Sequence, residues 1–264
     1  MENNTNVEYD DKLGHKRIRV RRMTFSMRLI HWINVVSMIT AVITGLYIAH
    51  PYYQTFMADG AVDKYVMAWN RWGHFIVAII FDVTSIIVSY LFFFSRFEKH
   101  YKKVLPTKKN IIEFWEVFLN LVTLNRRKNF DSSHNDSFNA VYFIIFHALL
   151  AWMLFTGLQM YVHGLASGES SIGAWWPWML HLITDWTVPF SAWVVGSATE
   201  TASIMDVRIL HHLSMWVIII WVMFHIYYQV WRTIFWQEGD IAIVVGGSKF
   251  MKVGEDGNKD VSVK

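Results

Sequence analysis

From Arg208 to His225 the chain reads RILHHLSMWVIIIWVMFH, an apolar run opened by an arginine and carrying histidines at 211, 212 and 225. A helix this long and apolar can cross a bilayer, which needs about 20 such residues. An ionisable side chain is costly in hydrocarbon and is therefore a functional candidate. The 14 residues from His211 to His225 amount to roughly 21 Å of rise and about 40° short of four full turns, so both side chains project from one face. His212 is turned about 140° away from His225, and it is expected at the surface or beside a charged cofactor edge.

The remaining spans follow from the same criterion. Apolar stretches near residues 29–49, 73–94, 140–161 and 209–231 are each long enough to cross. Two further stretches compete. Residues 111–124 are short, carry Glu113 and Glu116, and are flanked by Lys108, Lys109, Arg126, Arg127 and Lys128; this pattern suits a helix lying on the membrane surface. Residues 175–195 contain Pro177, His181, Asp185, Pro189 and several tryptophans, and are also read as interfacial.

Charge decides between four spans and five. Residues 1–28 hold seven basic side chains, 96–138 hold nine and 232–264 hold five, 21 in all, while the other two connections hold only Lys64, Arg71 and Arg208. With four spans this asymmetry places both termini in the cytoplasm. The expected architecture is an all-α membrane protein, a four-transmembrane-helix bundle with interfacial helices in its connections. Residues 1–28 form an N-terminal tail without the pattern of a cleavable signal peptide, 29–231 the membrane domain and 232–264 a C-terminal tail.

Composition agrees. Of the 264 residues 54% are apolar and 17% charged, against about 25% charged in soluble proteins. The net charge of +3 sits beside long apolar runs, so lipid is the expected partner and nucleic acid is not. There are no cysteines, which excludes disulfides, cysteine-ligated iron–sulfur clusters and thioether-linked haem.

Depth arranges the histidines. With the first span running outward, the second inward and the fourth inward, His74 and His211 lie near the outer face and His31 and His225 near the cytoplasm. Two imidazoles facing each other across a bundle are what a six-coordinate haem iron requires. The expected axial pairs are His74 with His211 and His31 with His225. With both axial positions filled the iron suits electron transfer. A zinc-type site would need three or four ligands converging at one depth, which the spacing of His211 and His225 prevents. A transporter or channel using buried His and Asp residues, and a structural anchor without redox chemistry, are the other classes; matched pairs and spans free of proline count against the first.

Other residues carry two readings each. Gly45 and Gly73 leave room for a porphyrin face, or equally for close helix packing. Arg28, Arg71 and Arg208 each precede a ligand histidine by three residues, where they would meet haem propionates or snorkel to the interface. His147 and Asn139, in the third span, are candidates for a quinone site; His147 serves equally as a structural hydrogen-bond partner. Asp82, midway along the second span, is expected to bond within the bundle. Thr44-Gly45-Leu46 and Thr156-Gly157-Leu158 form a faint internal echo.

Arg28-Leu29-Ile30-His31-Trp32-Ile33, continuing to Ile43-Thr44-Gly45, resembles the first signature of the b-type cytochrome subunits of nickel–iron hydrogenases. Arg208-Ile209-Leu210-His211-His212-Leu213, with Trp216 and Phe224-His225, resembles the second. Ala41 stands where the first usually has Leu, and Trp221 where the second usually has Phe; both keep apolar character. The resemblance covers roughly residues 20–235. It implies two haem b groups on His31, His74, His211 and His225. It implies a hydrogenase small subunit with iron–sulfur clusters and a large subunit with the nickel–iron site, both on the outer face of a bacterial inner membrane. It implies a quinone, menaquinone or ubiquinone, as acceptor. Cytochrome b subunits of formate dehydrogenases are similar in plan and stand as the alternative.

Overall fold

The computed structural model describes residues 8–10, 16–51, 60–94, 101–125, 137–166, 177–236 and 239–252. Arg126, Arg127, Lys128 and Trp175, used above in reading the connections, lie outside the described residues. Four long helices carry the chain: α1 (Phe25–Ala49), α2 (Gly60–Phe94), α4 (Ser137–Ala166) and α7 (Ile204–Ile234). All four contain stretches long and apolar enough to cross a membrane. Short helices α3 (Lys108–Val122), α5 (Pro177–Thr184), α6 (Thr187–Val195) and α8 (Ile241–Gly246) lie between or after them. The protein is thus an all-α membrane bundle, and a multi-pass one.

The long helices tolerate their hydroxyls because each proton goes to a carbonyl one turn back. Thr40 donates to Val36 O at 2.9 Å, Thr44 to Thr40 O at 2.7 Å, Thr156 to Trp152 O at 2.9 Å and Ser214 to Leu210 O at 2.7 Å. Bonds of this kind let polar side chains enter a medium that offers no water. Outward positions are apolar and exposed, as at Ile220 and Met223, which suits contact with lipid. Helix α7 begins with a capping box: Met205 N donates to Ser203 Oγ at 3.2 Å and Ser203 N to Asp206 Oδ2 at 2.8 Å.

The chain divides into two compact units. The first comprises Met1–Ile33, Ile86–Ile145 and Val222–Lys264; the second comprises Asn34–Ser85 and Phe146–Trp221. In the first, Val117, Leu121, Phe138, Tyr228, Trp231 and Trp236 form a buried core, with Phe114, Phe118, Phe224 and Phe235 packed against it. Helix α3 therefore does more than rest on a surface. One face of it is buried, while Ile111, Trp115 and Leu119 remain exposed. Glu113, which in the sequence argues against a span, turns inward to pair with Lys103 at 3.0 Å and to accept from Ser137 Oγ at 3.1 Å.

The tails contribute strands that the apolar pattern does not announce. Strands β1 (Glu8–Asp10), β2 (Lys16–Arg21) and β3 (Ser248–Lys252) make an antiparallel sheet in the order β1-β2-β3, with Arg17 opposite Lys252 and Arg21 opposite Ser248. Pairing residues 16–21 with 248–252 ties the start of α1 to the segment after α7. A buried ion cluster fixes that segment: Asp240 pairs with Arg232 at 2.5 Å and with Lys249 at 3.0 Å.

In the second unit the stretch through Val195 breaks into α5 and α6, eight and nine residues long, each less than half of what a span requires. Pro177 opens α5 and Pro189 falls in the first turn of α6, where a missing N–H costs no helical bond. Gly196, at φ 88°, closes α6 in the left-handed conformation that glycine adopts without strain. Trp152 of α4 packs on Trp186 and Phe190, with ring centroids 5.7 and 5.0 Å apart. His181 and Asp185 pair at 2.8 Å.

Candidate functional site: two histidine pairs

The second unit contains His74 on α2 and His211 on α7. His74 Nδ1 lies 3.0 Å from Ala41 O and 3.0 Å from Thr44 Oγ1. A carbonyl only accepts, and the Thr44 hydroxyl already gives its proton to Thr40 O, so Nδ1 carries the hydrogen. His211 Nδ1 lies 2.7 Å from Thr156 Oγ1. With that hydroxyl turned to Trp152 O, 2.9 Å away, His211 bears its hydrogen on Nδ1 as well. In each ring the remaining nitrogen, Nε2, keeps a lone pair and suits a metal.

Glycines stand against both rings. A Cβ on Gly45 would come within 3.2 Å of His74 Cε1, and one on Gly157 within 3.8 Å of His211 Cε1. Gly45 thus makes room for the histidine itself. A Cβ on Gly73 would meet nothing within 4 Å, so its side of α2 stays open.

The first unit contains His31 on α1 and His225 on α7. Aromatic neighbours set these rings. The Trp32 ring stands edge-on to His31 at 5.8 Å, and Trp32 Nε1 donates to Val244 O at 3.1 Å. The Tyr142 ring stacks on His225 with centroids 5.7 Å apart. Among the described residues no hydrogen bond reaches a ring nitrogen of His31 or His225.

The flanking residues divide. Arg28 is half-buried and gives Nη1 to Val245 O at 2.5 Å, with its guanidinium 5.6 Å from the Phe25 ring. Its Nε is buried without a partner among the described residues. The side chains of Arg71 and Arg208 are exposed. His212 accepts from Trp216 Nε1 at 3.2 Å, one turn along α7. Asn139 shares the first unit with His31 and His225, whereas His147, edge-on to Phe146, belongs to the second. Asp82 is half-buried, and among the described residues no hydrogen bond reaches its carboxylate.

Among the described residues no three His, Cys, Asp or Glu side chains converge as a metal site of their own. Two imidazoles per site fit a metal whose other ligands come with it, as in a haem. Sequence reasoning did not recognise Thr44, Thr156 and Gly157 as parts of a site. The signal for them was the repeated Thr-Gly-Leu at 44–46 and 156–158.

Comparison with known proteins extends this. A family profile described as prokaryotic cytochrome b561 matches residues 22–247. A probable Ni/Fe-hydrogenase B-type cytochrome subunit of Rhizobium leguminosarum bv. viciae is 28% identical over 234 residues, covering 87% of this chain and 88% of the relative. The similarly named protein of Bradyrhizobium diazoefficiens is 26% identical over 230 residues, 84% of this chain and 83% of the relative. A probable Ni/Fe-hydrogenase 1 B-type cytochrome subunit of Escherichia coli (strain K12) is 25% identical over 238 residues, 89% and 93% of the two chains.

Proposed function

Since the chain belongs to the prokaryotic cytochrome b561 family, we propose that it is the membrane subunit through which a periplasmic nickel–iron hydrogenase delivers electrons to a quinone. The family implies b-type haem and electron transfer within a membrane. The observation that carries the finer reading is that each unit holds two of the four span histidines, one of each two on α7, and that in the second unit Thr44 and Thr156 meet Nδ1 of both rings. His74 with His211, and His31 with His225, would each hold one haem b by its two axial positions. Bound there, haem supplies a one-electron iron couple with no open coordination site.

The chain's own residues orient and insulate. Apolar helix faces would keep water from the ligands, and the Nδ1–H tautomers of His74 and His211 would leave Nε2 to hold an iron. Arg28, Arg71 and Arg208 stand three residues before His31, His74 and His211 and would meet propionates at the membrane edges. The distribution of basic residues supports cytoplasmic termini in a bacterial inner membrane, with the His74–His211 pair nearer the periplasm. Electrons would enter there from the iron–sulfur small subunit, itself fed by the nickel–iron large subunit. They would leave from the His31–His225 pair to menaquinone or ubiquinone. Quinol formation takes up protons, and Asn139, which shares a unit with His31 and His225, is the proposed donor of a hydrogen bond to the ring. The names of the relatives favour hydrogenase over formate dehydrogenase as the source of electrons.

The test is a redox-difference spectrum of membranes holding the whole complex. Hydrogen should give reduced b-type bands, and a soluble quinone analogue should remove them. Bands that ignore hydrogen but appear with formate would replace the partner. Bands that hydrogen produces but quinone cannot discharge would remove the acceptor.

A further inference from the structure

Thr44 and Thr156 occupy equivalent places in the Thr-Gly-Leu echo, and each meets the Nδ1 of a different histidine of the same pair. With each hydroxyl turned to its own helix backbone, where Thr40 O and Trp152 O stand 2.7 and 2.9 Å away, each accepts from the imidazole. An imidazole whose N–H is held by an acceptor is a stronger donor through its other nitrogen. A stronger donor favours the oxidised iron and lowers its potential. Among the described residues, the His31–His225 pair has aromatic neighbours in place of such bonds.

We propose that Thr44 and Thr156 are positioning residues that fix the Nδ1–H tautomer of His74 and His211 and hold the potential of the metal bound between them below what unassisted imidazoles would give. The inference rests on the axial pairing proposed above. It adds a direction: one site is biased toward giving up its electron and the other is not. The two threonines are also unequal. His74 keeps Ala41 O as a second acceptor, whereas Thr156 is the acceptor that holds His211. Thr156 should therefore matter more.

The experiment is a redox titration of the purified full-length chain, followed by haem absorbance and by the low-spin electron paramagnetic resonance signals. Thr156→Val should raise the midpoint potential of one haem and leave the other unchanged, with two haems still bound. Thr44→Val should shift the same haem by less. Thr156→Ser and Thr44→Ser retain an acceptor oxygen and should titrate as wild type. Should a valine variant lose one haem, a serine variant that keeps it at the wild-type potential supports the proposal equally. In a His74→Ala background, Thr156→Val should leave the remaining haem's potential unmoved. Two haems at wild-type potentials in both valine variants would overturn the inference, as would serine variants that behave like valine, or a shift in the haem that survives His74→Ala. A wild-type protein with fewer than two haems would instead count against the pairing on which the inference rests.

Discussion

His74 and His211 are each gripped at Nδ1 by a threonine on another helix, whereas His31 and His225 are set against the rings of Trp32 and Tyr142. The supports behind them differ as well. In the second unit the grip is local to the long helices, and Thr44, Thr156, Gly45 and Gly157 are all small residues inside spans. In the first unit the support comes from beyond the spans: Val244 and Val245 bind Trp32 and Arg28, and Asp240, Arg232 and Lys249 anchor the segment that carries them. The comparison teaches that one sequence can hold two similar ligand pairs by unlike means. Where hydrocarbon surrounds a pair, side-chain hydroxyls on the helices do the holding; where the chain ends gather, a small folded tail does it.

That difference is open to attack from the tail. Asp240→Ala would leave Arg232 and Lys249 buried without their counter-charge, a loss of about 3–5 kcal/mol for a broken buried pair. Thermal unfolding should fall accordingly. Haem loss should begin at the His31–His225 pair while the other haem persists. Equal loss of both haems would mean that the tail supports the whole bundle and not one pair.

A smaller effect separates the glycines of the second unit. Gly45→Ala puts a Cβ 3.2 Å from His74 Cε1, tight enough to displace the ring, while Gly157→Ala reaches only 3.8 Å from His211. The first substitution should perturb the low-spin spectrum of one haem, and the second should be nearly silent. A reversed order would show that room beside these glycines serves something other than the histidine rings.

The smallest effect is expected at His212. Its ring is engaged by Trp216 on its own helix, so His212→Ala should keep two haems with unchanged spectra. Loss of a haem in this variant, measured by pyridine haemochrome, would exchange it with His211.

Much of this was legible in the sequence because hydrocarbon imposes a simple rule. Twenty apolar residues announce a span, and the histidines at 31, 74, 211 and 225 stand out against that background. The 14-residue spacing of His211 and His225 assigns them one helix face from helix geometry alone. What the sequence hid are contacts between distant segments. Residues 16–21 and 248–252 look like solvated charged tails, and only their pairing makes them a sheet. Glu113 reads as a surface charge until Lys103 and Ser137 are seen beside it. Thr44 and Thr156 read as ordinary helix threonines, because a hydroxyl bonded to its own backbone gives no sign of what its lone pairs face.

The central claim is that the four histidines act as two separate pairs, and haem content in paired substitutions tests it most directly. Pyridine haemochrome should find two haems per chain in the wild type. Removing both members of one pair, in His74→Ala with His211→Ala, should leave one haem. Removing one member from each pair, in His31→Ala with His74→Ala, should leave none. A single haem surviving the second combination, or none surviving the first, would contradict the pairing.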